Sequence, residues 1–192
     1  MSLSLPARDE LANWKPPTPS QAHLRDDFVA HLTTHDDGCE RGCRPDHLTA
    51  SALVVDSSGS QVLLCLHRKV GLWLQFGGHI ENRDTSVASA ALREAREESG
   101  IDALMLIGSE PVRLDRHAAP CDANARHHLD VQYLAVAPAG AQPTVSSESL
   151  DVRWFSAEAL PEQTDDAVRQ LVADAMARNA DVQTPHRATP AR

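Results

Sequence analysis

The segment Leu92-Arg93-Glu94-Ala95-Arg96-Glu97-Glu98-Ser99-Gly100 constrains this chain more than any other. Ala, Glu and Arg favour helix and Gly100 is placed to end one, so a helix is predicted over Asp84 to Ser99. Glu94, Glu97 and Glu98 stand at i, i+3 and i+4, and at about 100° per residue they fall on one stripe. Like charges at that spacing repel, so the stripe stabilises nothing until a cation joins it. Ala88, Ala91, Leu92 and Ala95 form an apolar face beside it. One side of the helix can then pack on a sheet while the adjacent side presents carboxylates to a cleft. Oxygen donors with room for water suit Mg²⁺ or Mn²⁺, whereas zinc prefers His and Cys. The plain alternative is a solvated charged face in which Arg93 and Glu97 pair across one turn. Gly77-Gly78, read as a bend after a short strand over Leu74 to Phe76, weighs against it. There a backbone can approach a metal or phosphate closely and offer a carbonyl or N–H.

Around this helix the chain reads as alternating strands and helices. Lys15 to Pro19 cannot continue a helix and form a stiff connector. Leu24, Phe28 and Leu32 then mark an amphipathic helix capped by Ser20. His47 to Asp56 and Gln61 to Lys69 are predicted as a hairpin around Ser57-Ser58-Gly59-Ser60. Ile101 to Ile107, Val112 to Asp115, His128 to Ala137 and Asp151 to Phe155 are further strands, followed by a helix over Asp165 to Asn179. The pattern implies an α/β sandwich around a mixed sheet. A net charge of -9 argues against duplex nucleic acid and anionic membranes as partners, and means that an anionic substrate needs a local cation. No run of 18 apolar residues and no signal-peptide layout is present, so a cytoplasmic chain is expected, with Cys39, Cys43, Cys65 and Cys121 as reduced thiols.

Gly78, five residues, Asp84, eight residues, then Arg93-Glu94-Ala95-Arg96-Glu97-Glu98-Ser99-Gly100-Ile101 resembles the Nudix pattern G-x5-E-x7-R-E-U-x-E-E-x-G-U, where U is aliphatic. Two departures stand out: Asp84 replaces a Glu, and one extra residue precedes Arg93. The resemblance implies a MutT-like α/β/α sandwich spanning residues 47–180, preceded by a helical extension over 1–46 and followed by a flexible tail over 181–192. It further implies metal-dependent hydrolysis of a phosphoanhydride in a nucleoside diphosphate-linked small molecule. Gly78, Glu94, Glu97 and Glu98 would hold the Mg²⁺ or Mn²⁺. Arg93 corresponds to an orienting arginine, Glu97 to a main metal-site glutamate, and Asp84 to an acid that supports the loop. Glu97, Glu98 or Glu148, the last in a loop before the strand carrying Trp154, would be the general base.

Other residues carry weaker signals. Arg68, Lys69 and Arg113 are candidates to neutralise substrate phosphates, and Trp73 to stack on a base; packing and surface roles are the alternatives. His128 and Asp130 share one strand face and are candidates to line the cleft. His47, His79, His117, His127 and His128 are numerous enough for a second site, although no metal-spacing motif joins them. Cys39-x3-Cys43 lacks a second pair for zinc, and Cys65 reads as a core residue. A Nudix-like binding or regulatory domain without hydrolytic activity is the rival reading. An isoprenoid diphosphate isomerase would need Cys121, whose surroundings do not resemble that family's motif. Residues 1–46 are also a candidate homodimer contact.

Overall fold

A computed structural model describes residues 3–119 and 125–183, with side chains through Arg178; Cys121 and the tail from Thr184 lie outside the described residues. Two helices lead the chain, α1 (Ser4–Asn13) and α2 (Pro19–Thr34). Thr18, rather than Ser20, caps α2: its Oγ1 accepts from the Gln21 N–H at 3.2 Å. Pro19 takes the first helical position, where a missing N–H costs nothing. Strands β1 (Asp46–Val55), β2 (Gln61–His67), β3 (Trp73–Leu74) and β4 (Phe76–His79) follow, then α3 (Val87–Ser99). The remaining elements are β5 (Met105–Leu106), β6 (Arg113–Ala118), β7 (His127–Val136), β8 (Ser149–Ser156) and α4 (Asp166–Gln183).

Among the described residues the strands join in one mixed sheet. β1 and β7 run parallel from Asp46↔His127 to Val55↔Val136 and form its spine. The other edge of β1 is shared: β4 pairs with Thr49 to Ala52, and β2 with Val54 and Val55. The predicted hairpin therefore pairs only next to its turn, and the rest of β2 pairs with β8 and β3. Even-numbered β1 residues Leu48, Ala50, Ala52 and Val54 pack in one cluster with α1, α2 and α3. Odd-numbered Leu53 and Val55 pack with Val168, Leu171 and Val172 of α4 on the opposite face. Helices thus cover both faces, as the α/β/α reading requires.

The N-terminal helices belong to this core. Ala7, Leu11, Trp14, Phe28 and Leu32 are buried in the same cluster as α3. Gln21 of α2 imitates a neighbouring strand: its amide donates to the Leu114 carbonyl at 2.9 Å and its oxygen accepts from the Leu114 N–H at 2.7 Å. This covers the free edge of β6. Glu10 of α1 accepts a hydrogen bond from the Tyr133 hydroxyl at 2.7 Å. No described helix is long and apolar enough to cross a membrane.

Candidate active site

α3 starts at Val87, three residues past the predicted Asp84, because Ser86 and Ser89 cap each other. Ser86 Oγ accepts from the Ser89 N–H at 3.0 Å, and Ser89 Oγ accepts from the Ser86 N–H at 2.9 Å. Gly100 ends the helix at φ 68°, and a side chain there would overlap Thr144 as well. Ala90, Ala91 and Ala95 are fully buried toward the sheet. Their small side chains let the helix lie close, which brings the acid stripe onto β4.

That stripe meets a strand and not a bend. Gly77 and Gly78 pair with Ser51 and Ala50 inside β4, so the expected turn after Phe76 is absent. The glycines serve close approach instead. A β-carbon on Gly77 would collide with Ser51, and one on Gly78 would come within 2.6 Å of Glu94 Oε1.

Glu94 and Glu98, one turn apart, form the inner edge of the stripe. Burial pushes the Glu98 carboxyl up to about 8, the charges of Glu94 and Glu148 add to this, and a hydrogen bond from the Gly77 N–H opposes it. Burial also raises Glu94, against the pull of Arg93. Glu148 therefore acts on both acids from the loop before β8. Arg68 pins that loop: its guanidinium donates to the carbonyls of Ser147 at 3.0 Å and Ser149 at 2.9 Å. It is engaged with backbone, the structural alternative to a substrate-phosphate contact.

Glu97 lies on the outer side, half exposed, and its two oxygens accept from Arg83 at 2.9 Å and Arg93 at 3.3 Å. The solvated pair Arg93–Glu97 thus exists for this one acid, and the expected main ligand is the least enclosed of the three. Arg93 is the hub. It donates to both oxygens of Asp84 at 3.0 and 2.9 Å, to the His79 carbonyl at 2.9 Å and to Glu94 at 2.8 Å. Burial would raise Asp84, but the bonds from Arg93 and the Glu81 N–H outweigh it and hold the carboxyl low. The shorter acid and the extra residue of the loop still deliver a carboxylate to Arg93, so both departures from the family pattern leave this support intact.

Of the remaining candidates, Trp73 is buried, with its ring edge-on to Phe155 at 4.8 Å. The Arg153 guanidinium lies over the ring, 5.7 Å from its centroid, and the burial is that of a packing residue. Arg113 bonds Asp174 of α4 at 2.9 Å. Cys65 is buried, as expected of a core residue. His128 and Asp130 do share a face of β7, on the side of the sheet away from Glu94. Asp130 is buried and accepts from Thr49 at 3.0 Å, Ser51 at 2.6 Å and Gln132 at 3.1 Å. Sequence reasoning missed Thr49, Ser51, Gln132 and Arg83, whose roles appear only once the register is known. Polar residues at alternate positions of a strand otherwise as apolar as β1 were the one available signal.

The comparisons with known proteins agree with this geometry. The sequence profile of the NUDIX domain matches residues 45–175. A NUDIX-family hydrolase from Clostridium perfringens aligns with TM-score 0.58 at 25% identity, over 69% of this chain and 97% of that one. A C. elegans Ap4A hydrolase in a binary complex aligns with TM-score 0.59 at 18% identity, over 70% and 98%. The NUDIX domain of Shewanella oneidensis NrtR, complexed with ADP ribose, gives 0.56 at 21% identity, over 79% and 97%. None of the curated proteins compared with the chain matches it. A profile match over most of the chain, together with the fold shared with these hydrolases, makes this protein a member of the Nudix hydrolase family.

Proposed function

We propose that this chain is a divalent-cation-dependent pyrophosphohydrolase acting on a nucleoside diphosphate-linked small molecule. The observation that carries the reading is the enclosure of Glu94 and Glu98 beside Glu148 at the glycine strand. Burial raises both helix acids, and like charges add to it, Glu94 and Glu148 on Glu98, and Glu97 and Glu148 on Glu94; among the described residues neither Glu98 nor Glu148 has an ion-pair partner. A set of carboxylates held together at such cost fits Mg²⁺ or Mn²⁺, which take oxygen donors. Glu94 and Glu98 would hold the ion, with Gly78 close by and Glu97 joining from the rim. Bound there, it would supply charge for the diphosphate oxygens and a lowered pKa for attacking water.

The chain's own residues supply the rest. Arg93 fixes Glu94 and, through Asp84 and the His79 carbonyl, ties the helix to the loop before it. Glu148, whose loop Arg68 holds, accepts the proton of the attacking water; Glu97 and Glu98 are the other acids within the same cluster. Support for the nucleotide class comes from the family and from similar structures whose names include an Ap4A hydrolase and an ADP-ribose complex.

The test is product release by the purified chain across a panel of nucleotides, dinucleotides and nucleotide sugars. Turnover is expected with Mg²⁺ or Mn²⁺ and is lost in excess chelator. Turnover that persists in chelator removes the metal from the mechanism. Tight nucleotide binding without any product would instead favour the regulatory-domain reading.

A further inference from the structure

The face of the sheet turned away from α3 carries a second donor set. His47, Thr49 and Ser51 of β1 point there, and register sets His128, Asp130 and Gln132 of β7 beside them. On the other edge of β1, His79 of β4 pairs with Thr49. Residues in register share a face of a sheet, and so do residues two apart along one strand. Three imidazoles from three strands are thereby brought together. Their ring centroids lie 5.1 Å apart for His47–His79, 5.0 Å for His47–His128 and 5.3 Å for His79–His128. One ring nitrogen from each lies within 4.8 Å of the others. His47 is fully buried, and the other two are partly buried.

We propose that His47, His79 and His128 form a binding site for one late first-row transition ion, zinc above all, separate from the carboxylates of α3. Imidazole is a donor such ions favour over the oxygen sets that hold Mg²⁺. Zinc–nitrogen bonds of about 2.0–2.1 Å imply nitrogens roughly 3.4 Å apart in a tetrahedron. The rings therefore need to close by no more than about the length of one bond, which side-chain rotation provides. Three protein ligands leave a fourth position for water or an anionic oxygen.

The surroundings suit a cation. Asp130, fixed by Thr49, Ser51 and Gln132, lies two residues along β7 from His128 on the same face. His117, in register with His128, has its ring 5.4 Å away, and its Nδ1 is bonded to Asp115 at 2.8 Å. Such carboxylate contacts commonly surround zinc sites, orienting imidazoles and balancing charge. The site would tie β4, β1 and β7 together at the end of the sheet that α4 does not cover. It stands independently of whether the α3 acids are active.

The experiment uses the full chain without a histidine tag, incubated with zinc, dialysed and analysed for metal, with X-ray absorption at the zinc edge. Roughly one zinc per chain in a shell containing three imidazoles is expected. His128→Asn and His79→Gln should each weaken zinc binding at least about tenfold, whereas the double variant Glu94→Gln/Glu98→Gln retains it. Zinc absent from the parent chain, an all-oxygen shell, or zinc lost in the glutamate variant but kept in both histidine variants would overturn the proposal. If a histidine variant fails to fold, the absorption spectrum of the parent decides alone.

Discussion

The two sides of β4 face different chemistries, although adjacent residues present them. Gly78 turns toward Glu94 and the acids of α3, while His79 turns toward His47 and His128. On the first side, oxygen donors are crowded by a helix whose alanines let it lie against the sheet. On the second, imidazoles come together through strand register alone. The donor atoms differ accordingly: carboxylates for a hard, hydrated cation, ring nitrogens for a softer one. A thin strand can thus serve two sites because alternate residues point to opposite faces. The two faces can be tested side by side, since a change on one should leave the metal preference of the other intact.

The largest effect is expected on the acid side. Glu98→Gln should lower turnover by about 10² or more, the usual scale for a lost acid–base or charge-stabilising group. Glu97→Gln, outside the enclosed set and already shared between Arg83 and Arg93, should cost less. Steady-state kinetics at saturating Mg²⁺ decide the order. Were Glu97→Gln the more damaging, the enclosed pair would not be the centre of the site.

Next comes the strand itself. Gly77→Ala places a methyl group against the Cβ and backbone of Ser51, which cannot swing away, so a stability loss of about 1–3 kcal/mol is expected. Gly78→Ala meets only the end of the Glu94 side chain. It should cost less in stability but raise the Mg²⁺ concentration needed for half-maximal activity. Urea melts and metal titrations of the two variants separate packing from ligation.

How far these residues were legible from sequence differs between the two sides. The helix acids follow from helical periodicity, which is local, so Glu94, Glu97 and Glu98 could be grouped before any fold was known. Which of them is enclosed could not be read, because that depends on Arg83 and on the approach of β4. Gly77-Gly78 looks like a bend because its tertiary neighbours, Ser51 and Glu94, are distant in sequence. Within the helical extension expected over 1–46, the helix Ser4–Asn13 was not placed because its buried positions are few, with Pro6 in the first turn. The histidines were counted, but a site assembled by pairing Thr49 with His79 and His47 with His128 has no spacing signature. The spine strands β1 and β7 were read within a residue or so, since apolar runs of that length have few other uses.

A smaller effect concerns pH in chelator. Glu98 holds its proton to about 8 in the folded chain, and an exposed carboxylate in the unfolded chain releases it near the ordinary value. Between those values the folded state carries a proton that the unfolded state lacks. Stability from this group is therefore full at low pH and declines as pH rises. The metal-free parent should lose a few degrees more in Tm from pH 5.5 to 8.5 than Glu98→Gln does, and added Mg²⁺ should remove the difference. Parallel melting curves for parent and variant would remove Glu98 as the source.

The smallest effect belongs to the histidine side. Asp130 Oδ2 accepts from both Ser51 Oγ and Gln132 Nε2, and Oδ1 accepts from Thr49. Asp130→Asn keeps the shape but turns one acceptor into a donor facing donors, so about 1 kcal/mol of stability should be lost. Rotation of the Ser51 and Thr49 hydroxyls can relieve part of that clash, which keeps the cost low. The variant also removes a negative charge from beside the three imidazoles, so zinc should bind more weakly while the Mg²⁺ concentration for half-maximal activity stays near that of the parent. Zinc and Mg²⁺ titrations that shift together would mean that the two faces of β4 are one electrostatic unit and not two sites.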